Sequence, residues 1–347
     1  MMLRSLLKGS AFLQYANPLQ ISILIVFIFS LILIFFSSIS LGSFSFTFQE
    51  LFNGGSESLD SIVLFEIRIP RVLLAAFVGA SLGLSGASLQ GLFRNPLADP
   101  GLIGVSAGAA LGASLIIVLG SDLIPDFIFG TLVLPLSAIL GASLVISLLY
   151  IFTQGFGYQG ITYMLLVGIA VNAFASVGIG ILTYISTDSE LRGLTFWTMG
   201  SFGGSSWQLI IPALIIISLA MFWMIPSARK LDLLQLGEPE AYRLGVDVKK
   251  LKFKVIISSA VTVGISVSLS GMIGFVGLVV PHLVRLLGGV NHSYLLPGSA
   301  LLGASLMMAA DLLSRILIQP AELPVGLITS AIGAPFFLWL IFRIRKA

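Results

Sequence analysis

The stretch LQISILIVFIFSLILIFF, residues 19–36, holds no charged side chain over its 18 residues. That is about the length that an α-helix needs to cross the hydrocarbon core of a bilayer. Similar apolar runs recur along the chain, which is 57% hydrophobic and only 10% charged, against about 25% charged residues in a typical soluble domain. The sequence therefore predicts a polytopic α-helical membrane protein.

The composition also excludes several kinds of chemistry. The chain has no Cys, so disulfides, thiolate metal sites and thiol catalysis are ruled out. Its 37 Gly favour close approach of neighbouring membrane helices. Arg4 and Lys8 before the first apolar run resemble the start of a signal peptide, but the run is longer than the roughly 7–15 apolar residues of one. We expect a retained first span.

Breaks at Gly, Pro and charged residues divide the chain into ten predicted spans, which places both termini on one side. In the eighth span, which contains Pro281, we expect a short irregular piece before the helix. The predicted spans are residues 19–41, 67–90, 101–120, 129–152, 161–185, 207–226, 255–272, 275–290, 297–317 and 325–342.

The distribution of Lys and Arg predicts which side of the membrane is cytoplasmic. With the N-terminus inside, fourteen of the 18 basic residues lie inside. The four that lie outside are Arg68, Arg71, Arg192 and Arg315. Most of the acidic residues fall outside as well. We therefore expect both termini, and the most charged stretch of the chain, to be cytoplasmic.

Two short patterns recur and predict an internal repeat. Leu-Ser-Gly is followed by Pro ten residues after its glycine, once in residues 84–96 and once in residues 269–281. GAALGASL at residues 108–115 echoes SALLGASL at residues 299–306. The first pair lies five predicted spans apart, and an odd number of spans reverses the direction through the membrane. We expect two inverted five-helix repeats, as in many transporters.

The most charged stretch is RKLDLLQLGEPEAYRLGVDVKKLKFK, residues 229–254, which carries 11 of the 33 charged residues. Pro239 suits the first turn of a helix, and Glu238 and Glu240 favour the positive end of its dipole. Gly245 suits a left-handed C-terminal cap. The pattern predicts a compact helical knob, which either serves as a solvated loop that enforces topology or docks a cytoplasmic partner.

Several stretches, in one order along the chain, resemble the FecCD-type permeases of ABC importers for iron chelates, haem and cobalamin. The longest is SGASLQGLFRNPLADPGLIGVSAGA at residues 85–109. The others are Arg68-Ile69-Pro70-Arg71, GFVGLVVPHLVR (274–285), ELPVG (322–326) and GAPFF (333–337). The resemblance covers nearly the whole chain from about residue 68, whereas the first 60 residues match little.

This resemblance implies a type II ABC importer permease, with one transmembrane domain over residues 1–347 and a coupling loop at residues 229–254. It implies a multi-pass protein of the bacterial inner membrane, surrounded by lipid and paired with a second copy of itself. The other implied partners are two cytoplasmic ATPase subunits and a periplasmic substrate-binding protein. No nucleic acid, metal or permanently bound cofactor is expected. The chain has no Gly-x-x-x-x-Gly-Lys-Ser/Thr phosphate loop, so we expect no enzymatic activity and assign ATP to the partner ATPase.

The resemblance also implies three sets of site residues. Arg68, Arg71 and Arg315 would dock the binding protein, and the alternative is internal pairing with Glu66 and Asp311. The ATPase-coupling residues are Glu238, Glu240, Tyr242, Arg243, Leu244 and Gly245. The residues of the cytoplasmic gate are Asn95, Leu97, Ile161 and Thr162, for which helix-end chemistry is the alternative.

The chain has two histidines, His282 and His292. The predicted topology puts both toward the cytoplasm, where an iron centre arriving from outside would not first meet them. We therefore expect a helix-end or loop role for them and no metal ligation.

The cargo is less constrained than the family. Residues 89–113 and 194–204 look closest to the haem branch, with ferric siderophore and cobalamin as alternatives. An ion-coupled secondary transporter would keep ionisable residues near the middle of the membrane, and the predicted spans hold few. A membrane-embedded enzyme is disfavoured too, because no motif such as His-Glu-x-x-His occurs.

The predicted orientation can be tested by labelling, because the chain has no native Cys. A single Cys in place of Glu57 should react with a membrane-impermeant thiol reagent added outside intact cells. A single Cys in place of Lys250 should react only after the cells are opened. The reverse pattern would invert the topology.

Overall fold

The computed structural model of the protein describes residues 17–42, 59–123, 132–153 and 160–346, which contain helices and loops and no strand. Two helical segments, Leu59–Ile62 and the π-helical Val63–Arg68, lead directly into the second long helix. The helices are α1 (Pro18–Ser40), α2 (Ile69–Phe93), α3 (Val105–Leu123), α4 (Val133–Thr153), α5 (Gly160–Ile185), α6 (Asp188–Met199), α7 (Trp207–Met224), α8 (Ala228–Leu234), α9 (Glu238–Arg243), α10 (Val248–Ser270), α11 (Val276–Gly288), α12 (His292–Ile316) and α13 (Val325–Lys346).

Ten of these helices overlap the ten predicted spans. By length and composition, seven helical segments of the described residues are long and apolar enough to cross a membrane. The other three are shorter apolar helices, which belong to α3, α11 and α13. The all-helical membrane fold is therefore confirmed, whereas the number of complete crossings stays a prediction.

Two features of the helix pattern differ from the sequence prediction. α10 starts at Val248, well before predicted residue 255, because Asp247 caps it by accepting the backbone N–H of Lys250 at 3.0 Å. The short helix α6 was not predicted at all. Thr187 and Glu190 form a capping box at its start, a sequence signal that a search for apolar spans does not detect.

α2, α10 and α12 form the centre of the fold, and most of their residues are buried. α2 packs against α10, α11 and α12, while α1 packs along α12. By contrast, α1, α4, α5 and α7 expose many large apolar side chains. Exposure of this kind is expected of helices that face lipid or another apolar partner.

α2 and α12 touch backbone to backbone. A methyl group added to Gly79 would collide with the carbonyl oxygen of Gly303, and one added to Gly83 would collide with that of Ser299. Because lipid tails are as apolar as the helices, burial of apolar surface gives little drive for association in a membrane. Close packing between residues without large side chains supplies the attraction instead.

α3 and α4 repeat this arrangement, with Gly108 of α3 against the backbone of Gly141 in α4. The α4 contact belongs to SAILGASL, residues 137–144, which differs at one position from SALLGASL, residues 299–306, in α12. This match is better than the one between residues 108–115 and 299–306, which differ at two positions. It also joins the fourth and ninth predicted spans, which are five apart, as inverted repeats require.

α2 and α10 are the second helices of the two predicted repeats, and they cross in opposite directions. Ser81 Oγ lies 2.7 Å from Ser266 Oγ, and Ser85 Oγ lies 2.9 Å from Thr262 Oγ1. The residue numbers rise on one helix as they fall on the other, so the two helices are antiparallel. This opposed direction supports the prediction of inverted repeats.

The irregular piece predicted before the eighth span is present. α10 ends before Gly271 (φ 69°), Phe275 has a left-handed backbone (φ 68°), and α11 begins at the next residue. Pro281 inside α11 cannot donate a hydrogen bond to the carbonyl of Gly277. The side-chain amide of Gln90 on α2 donates to that carbonyl instead, at 3.3 Å.

We expect Gly303→Ala to destabilise the fold by about 1–3 kcal/mol, because the added methyl group overpacks the α2–α12 contact. The matched control is Gly180→Ala in α5, where an added methyl group would meet nothing within 4 Å. Thermal unfolding of the detergent-purified protein measures both. Equal stability of the two variants would show that the close approach of α2 and α12 is unimportant.

Candidate functional site

The charged stretch forms the predicted helical knob, which we define as residues 228–247. It consists of α8, α9 and the turns that follow each of them. α9 spans Glu238–Arg243, with Gly237 before it at φ 108° and Gly245 after it at φ 85°. Both backbones lie in the region that glycine tolerates best. The predicted short helix with its glycine cap is therefore confirmed.

The knob is anchored on one side and exposed on the other. Leu231, Leu234 and Ala241 are fully buried, so α8 and α9 are fixed to the membrane helices. Tyr242 and Leu244 are 70% and 56% exposed. Large exposed apolar and aromatic side chains at the tip of a rigid element are typical of a protein-binding surface.

The predicted coupling residues divide into two groups. Glu238 is buried, and its carboxylate forms an ion pair with Lys252 of α10 at 2.8 Å. The other five, Glu240, Tyr242, Arg243, Leu244 and Gly245, are exposed. A surface groove of about 870 Å³ lies beside them and is lined by Glu238, Tyr242, Arg243, Gly245, Val246, Asp247, Val248, Lys249 and Lys252. Glu238 thus holds the knob onto α10, whereas the others are available to a partner.

Asp247 joins the knob to α10. The backbone N–H of Lys250 donates to its carboxylate and is the main reason that the pKa of Asp247 is lowered, with the Lys250 side chain as the second cause. A lowered carboxyl pKa stabilises the folded state above the unfolded pKa, and this contribution is lost as the pH falls through the folded value. The ionised Asp247 carboxylate therefore stabilises the start of α10 at neutral pH.

The predicted gate residues lie in two separate segments. Asn95 and Leu97 follow α2 in a turn where Arg94 is left-handed (φ 51°) and Asn95 Oδ1 accepts the backbone N–H of Leu97 at 2.9 Å. Leu97 is 39% exposed. Ile161 and Thr162 lie in the first turn of α5, and their side chains are outside the described part of the structure. The gate role of these four residues stays a prediction.

At the start of α2, the end away from Asn95 and Leu97, charged side chains form a buried cluster with side chains of α12. We call this group the charge cluster. Its members are Arg68, Arg71, Asp311, Arg315 and Glu322. Asp311 binds Arg71 Nε through Oδ1 at 2.9 Å and faces Arg315 Nε through Oδ2 at 3.2 Å. Glu322 binds Arg71 Nη1 with both oxygens, at 2.8 and 3.0 Å. Asp311 is completely buried, whereas the Glu322 side chain is 45% exposed.

Two arginines of the charge cluster also bind the carbonyl end of α1. Arg68 Nη1 donates to the carbonyl of Ile39 at 2.7 Å, and Arg315 Nη2 donates to the carbonyl and hydroxyl of Ser38 at 2.9 and 2.7 Å. Cations favour the C-terminal end of a helix, where carbonyl groups lack partners. The charge cluster therefore fixes α1 as well as α2 and α12.

These contacts bear directly on the predicted docking arginines. Arg68, Arg71 and Arg315 are each only 6% exposed in the single chain and have internal partners. The alternative pairing of Arg315 with Asp311 is present. The salt bridges of Arg71 with Asp311 and Glu322 were not predicted, although a lone acid in an apolar span is the signal that could have found Asp311. The docking role stays a prediction.

His282 lies in α11 and His292 in α12, and the expectation that neither binds a metal stays a prediction. His292 is the first residue of α12, and His282 packs edge-on against Phe336 at 6.0 Å between ring centres. Among the described residues, no group of three His, Asp or Glu side chains could hold a metal ion. The partner of His292 was not anticipated, because Asp232 is 60 residues away in the knob.

Comparison with known proteins gives consistent matches along the chain. Residues 29–343 match the FecCD transport family. The chain is 45% identical to the hemin transport system permease protein HmuU of Yersinia pestis, over 91% of this chain and 94% of that protein. It is 39% identical to the vitamin B12 import system permease protein BtuC of Klebsiella pneumoniae subsp. pneumoniae, over 82% of this chain and 83% of that protein.

A solved structure of a metal-chelate type ABC transporter in an inward-facing conformation is also similar. Its TM-score is 0.82 at 35% sequence identity, and the match covers 93% of this chain and 99% of that one. The fold of this chain is therefore that of an ABC transporter permease.

We expect Asp311→Asn to lower the stability by about 3 kcal/mol or more, since it leaves buried guanidinium groups without their shared carboxylate. The control is Glu240→Gln, which removes the acid of the exposed pair with Arg243 and should cost at most about 1 kcal/mol. Thermal unfolding in detergent compares them. If Asp311→Asn is no less stable than the control, the charge cluster does not hold α1, α2 and α12 together.

Proposed function

The chain belongs to the FecCD transport family, and we propose that it is the permease of an importer that carries haem into the cytoplasm. It is a multi-pass membrane protein and the permease subunit of an ABC importer, in which a separate ATPase hydrolyses ATP. Haem as the cargo, the direction of the path and the individual partners are the parts that we propose.

The observation that carries the proposal is the similarity to a hemin permease over nearly the full length of both proteins, at 45% identity. The cobalamin permeases match 82% of this chain, at 39–40% identity. This difference favours haem and keeps cobalamin as the second candidate. Ferric siderophores remain a third cargo class within the same family.

The knob is the proposed docking surface for the ATPase. Its exposed tip, with Tyr242 and Leu244, stands on helices that are buried below it. In this proposal Glu240, Arg243 and Gly245 complete the contact, while Glu238 transmits force to α10 through Lys252. A rigid, anchored knob suits this role better than a flexible loop would, because motion of the ATPase then reaches the membrane helices.

We propose that a second copy of the chain completes the translocation path. The exposed apolar face of α5 supports this, with Phe174 and Tyr184 exposed to 74% and 90%. In the same proposal Asn95, Leu97, Ile161 and Thr162 close the cytoplasmic end, and both termini lie in the cytoplasm. No resident cofactor is proposed, and the cargo is substrate only.

Docking of the periplasmic binding protein by Arg68, Arg71 and Arg315 is part of the same proposal. Because all three are buried and paired within one chain, docking requires a local rearrangement. Glu322 is the half-exposed member of the charge cluster, so an acidic group of the binding protein would take its place at Arg71. Complementary charge of this kind mainly accelerates encounter and fixes orientation.

The test is reconstitution of the chain with its cognate ATPase and binding protein in lipid vesicles. The chain alone should hydrolyse no ATP, and the complete transporter should accumulate hemin in an ATP-dependent manner. Cyanocobalamin and a ferric siderophore are the competing cargoes. Hemin uptake should exceed both, and preferential uptake of either competitor would replace haem as the cargo. Uptake driven by an ion gradient without ATP would contradict the importer class.

A further inference from the structure

A polar contact joins the knob to the start of α12. The Asp232 carboxylate of α8 lies 2.6 Å from His292 Nδ1 and also accepts the backbone N–H of His292 at 3.0 Å. A carboxylate without a proton can only accept hydrogen bonds, so Nδ1 carries the proton in this contact. Two hydrogen bonds to one charged oxygen make this the kind of contact that is stronger than a neutral hydrogen bond.

The other edge of the His292 ring lies against the end of α2. A methyl group added to Gly91 would collide with His292 Nε2, and the whole residue is only 4% exposed. Gln235, which follows α8, reaches the same point, where its side-chain amide donates to the carbonyl of Gly91 at 2.8 Å. The knob therefore contacts α2 both directly and through the imidazole ring.

Gly91 is close to the predicted gate. The Gly91 carbonyl also accepts the backbone N–H of Arg94 at 3.4 Å, and the neighbouring Gln90 carbonyl accepts that of Asn95 at 3.1 Å. Gln90 Oε1 in turn binds Arg285 of α11 at 2.6 Å. The knob is thus connected by hydrogen bonds to the residues that hold the turn containing Asn95.

We propose that Asp232, Gln235 and His292 form a junction with Gly91 that makes the knob and the adjoining ends of α2 and α12 move as one body. The three side chains are positioning residues for transport. This inference rests on the proposed function, and it concerns how ATPase motion reaches the gate rather than which cargo is carried. Without the junction, ATP hydrolysis continues but moves the gate less effectively.

The main measurement is the number of hemin molecules taken up per ATP hydrolysed by the complete transporter in vesicles. Asp232→Ala and His292→Leu should each lower this ratio by about tenfold. That factor corresponds to the free energy of one hydrogen bond to a charged group. The double variant should be no worse than Asp232→Ala, because Asp232→Ala alone already removes both hydrogen bonds between the two residues.

Conservative variants separate this role from a merely structural one. Asp232→Asn keeps an accepting oxygen and should keep most of the wild-type ratio. His292→Asn keeps a donor near the position of Nδ1 but loses the ring that lies against Gly91, so its ratio should fall less than that of His292→Leu. His282→Gln is the matched histidine control outside the junction and should leave the ratio unchanged. If the Asn variants fail as badly as the Ala and Leu variants, or if no variant lowers the ratio, the proposal is overturned.

A cross-link tests the junction even where single variants assemble poorly. The combined variant Asp232→Cys and His292→Cys, in a chain with no other Cys, should have a low ratio when reduced. A short bis-methanethiosulfonate linker, which forms a disulfide with each Cys and releases methanesulfinate, should restore the ratio. Reduction of the two disulfides should lower it again. Arrest of hemin uptake by the cross-link would instead show that the knob and α12 must separate. If the wild-type transporter takes up no hemin, the proposed cargo is wrong but the junction is not contradicted. The same variants would then be tested for the ratio of cobalamin taken up to ATP hydrolysed.

Discussion

The close antiparallel contact between α2 and α12 is the constraint on which the other features depend. Arg71 meets Asp311 at one end of the pair, Gly79 meets Gly303 in the middle, and Gly91 meets His292 at the other end. These contacts follow one continuous antiparallel register. Residues 71–91 of α2 span about 30 Å at the rise of an α-helix, which is about the thickness of the hydrocarbon core. The pair therefore forms a continuous rod across the membrane, and substitution at any glycine of its contact would separate the two helices.

The two ends of this rod have different chemistry. At one end the charge cluster pairs Arg71 and Arg315 with Asp311 and Glu322, and carbonyl groups of α1 accept hydrogen bonds from Arg68 and Arg315. These contacts let buried charge exist among apolar helices. At the other end the knob is attached through hydrogen bonds and the His292 ring. ATPase motion would enter at the knob, pass along the rod and reach the half-exposed Glu322 side chain, where the binding protein is proposed to dock. One helix pair can thus link the two faces of the transporter.

The sequence predicted the class, the positions of the main helices and the knob, because apolar length, charge asymmetry and the Pro239 and Gly245 signals are local. It did not predict the partners of Arg71 or His292. These partners lie 240 and 60 residues away along the sequence, and no local sequence pattern identifies partners that are so far apart in the chain. The glycine contacts were visible only as an abundance of Gly, since the sequence does not show which glycines face each other. The helix α6 was missed because its signal is a cap and not an apolar run.

The central claim is that the knob moves together with the α2–α12 pair. Spin labels on Cys placed at Lys230 in the knob and at Val290 just before α12 measure this directly in the assembled transporter. A second pair, at Lys230 and at Tyr163 near the start of α5, reports motion relative to the rest of the fold. The account predicts that the Lys230–Val290 distance is the same with and without bound ATP while the Lys230–Tyr163 distance changes. A Lys230–Val290 distance that changes as much as the other would contradict it.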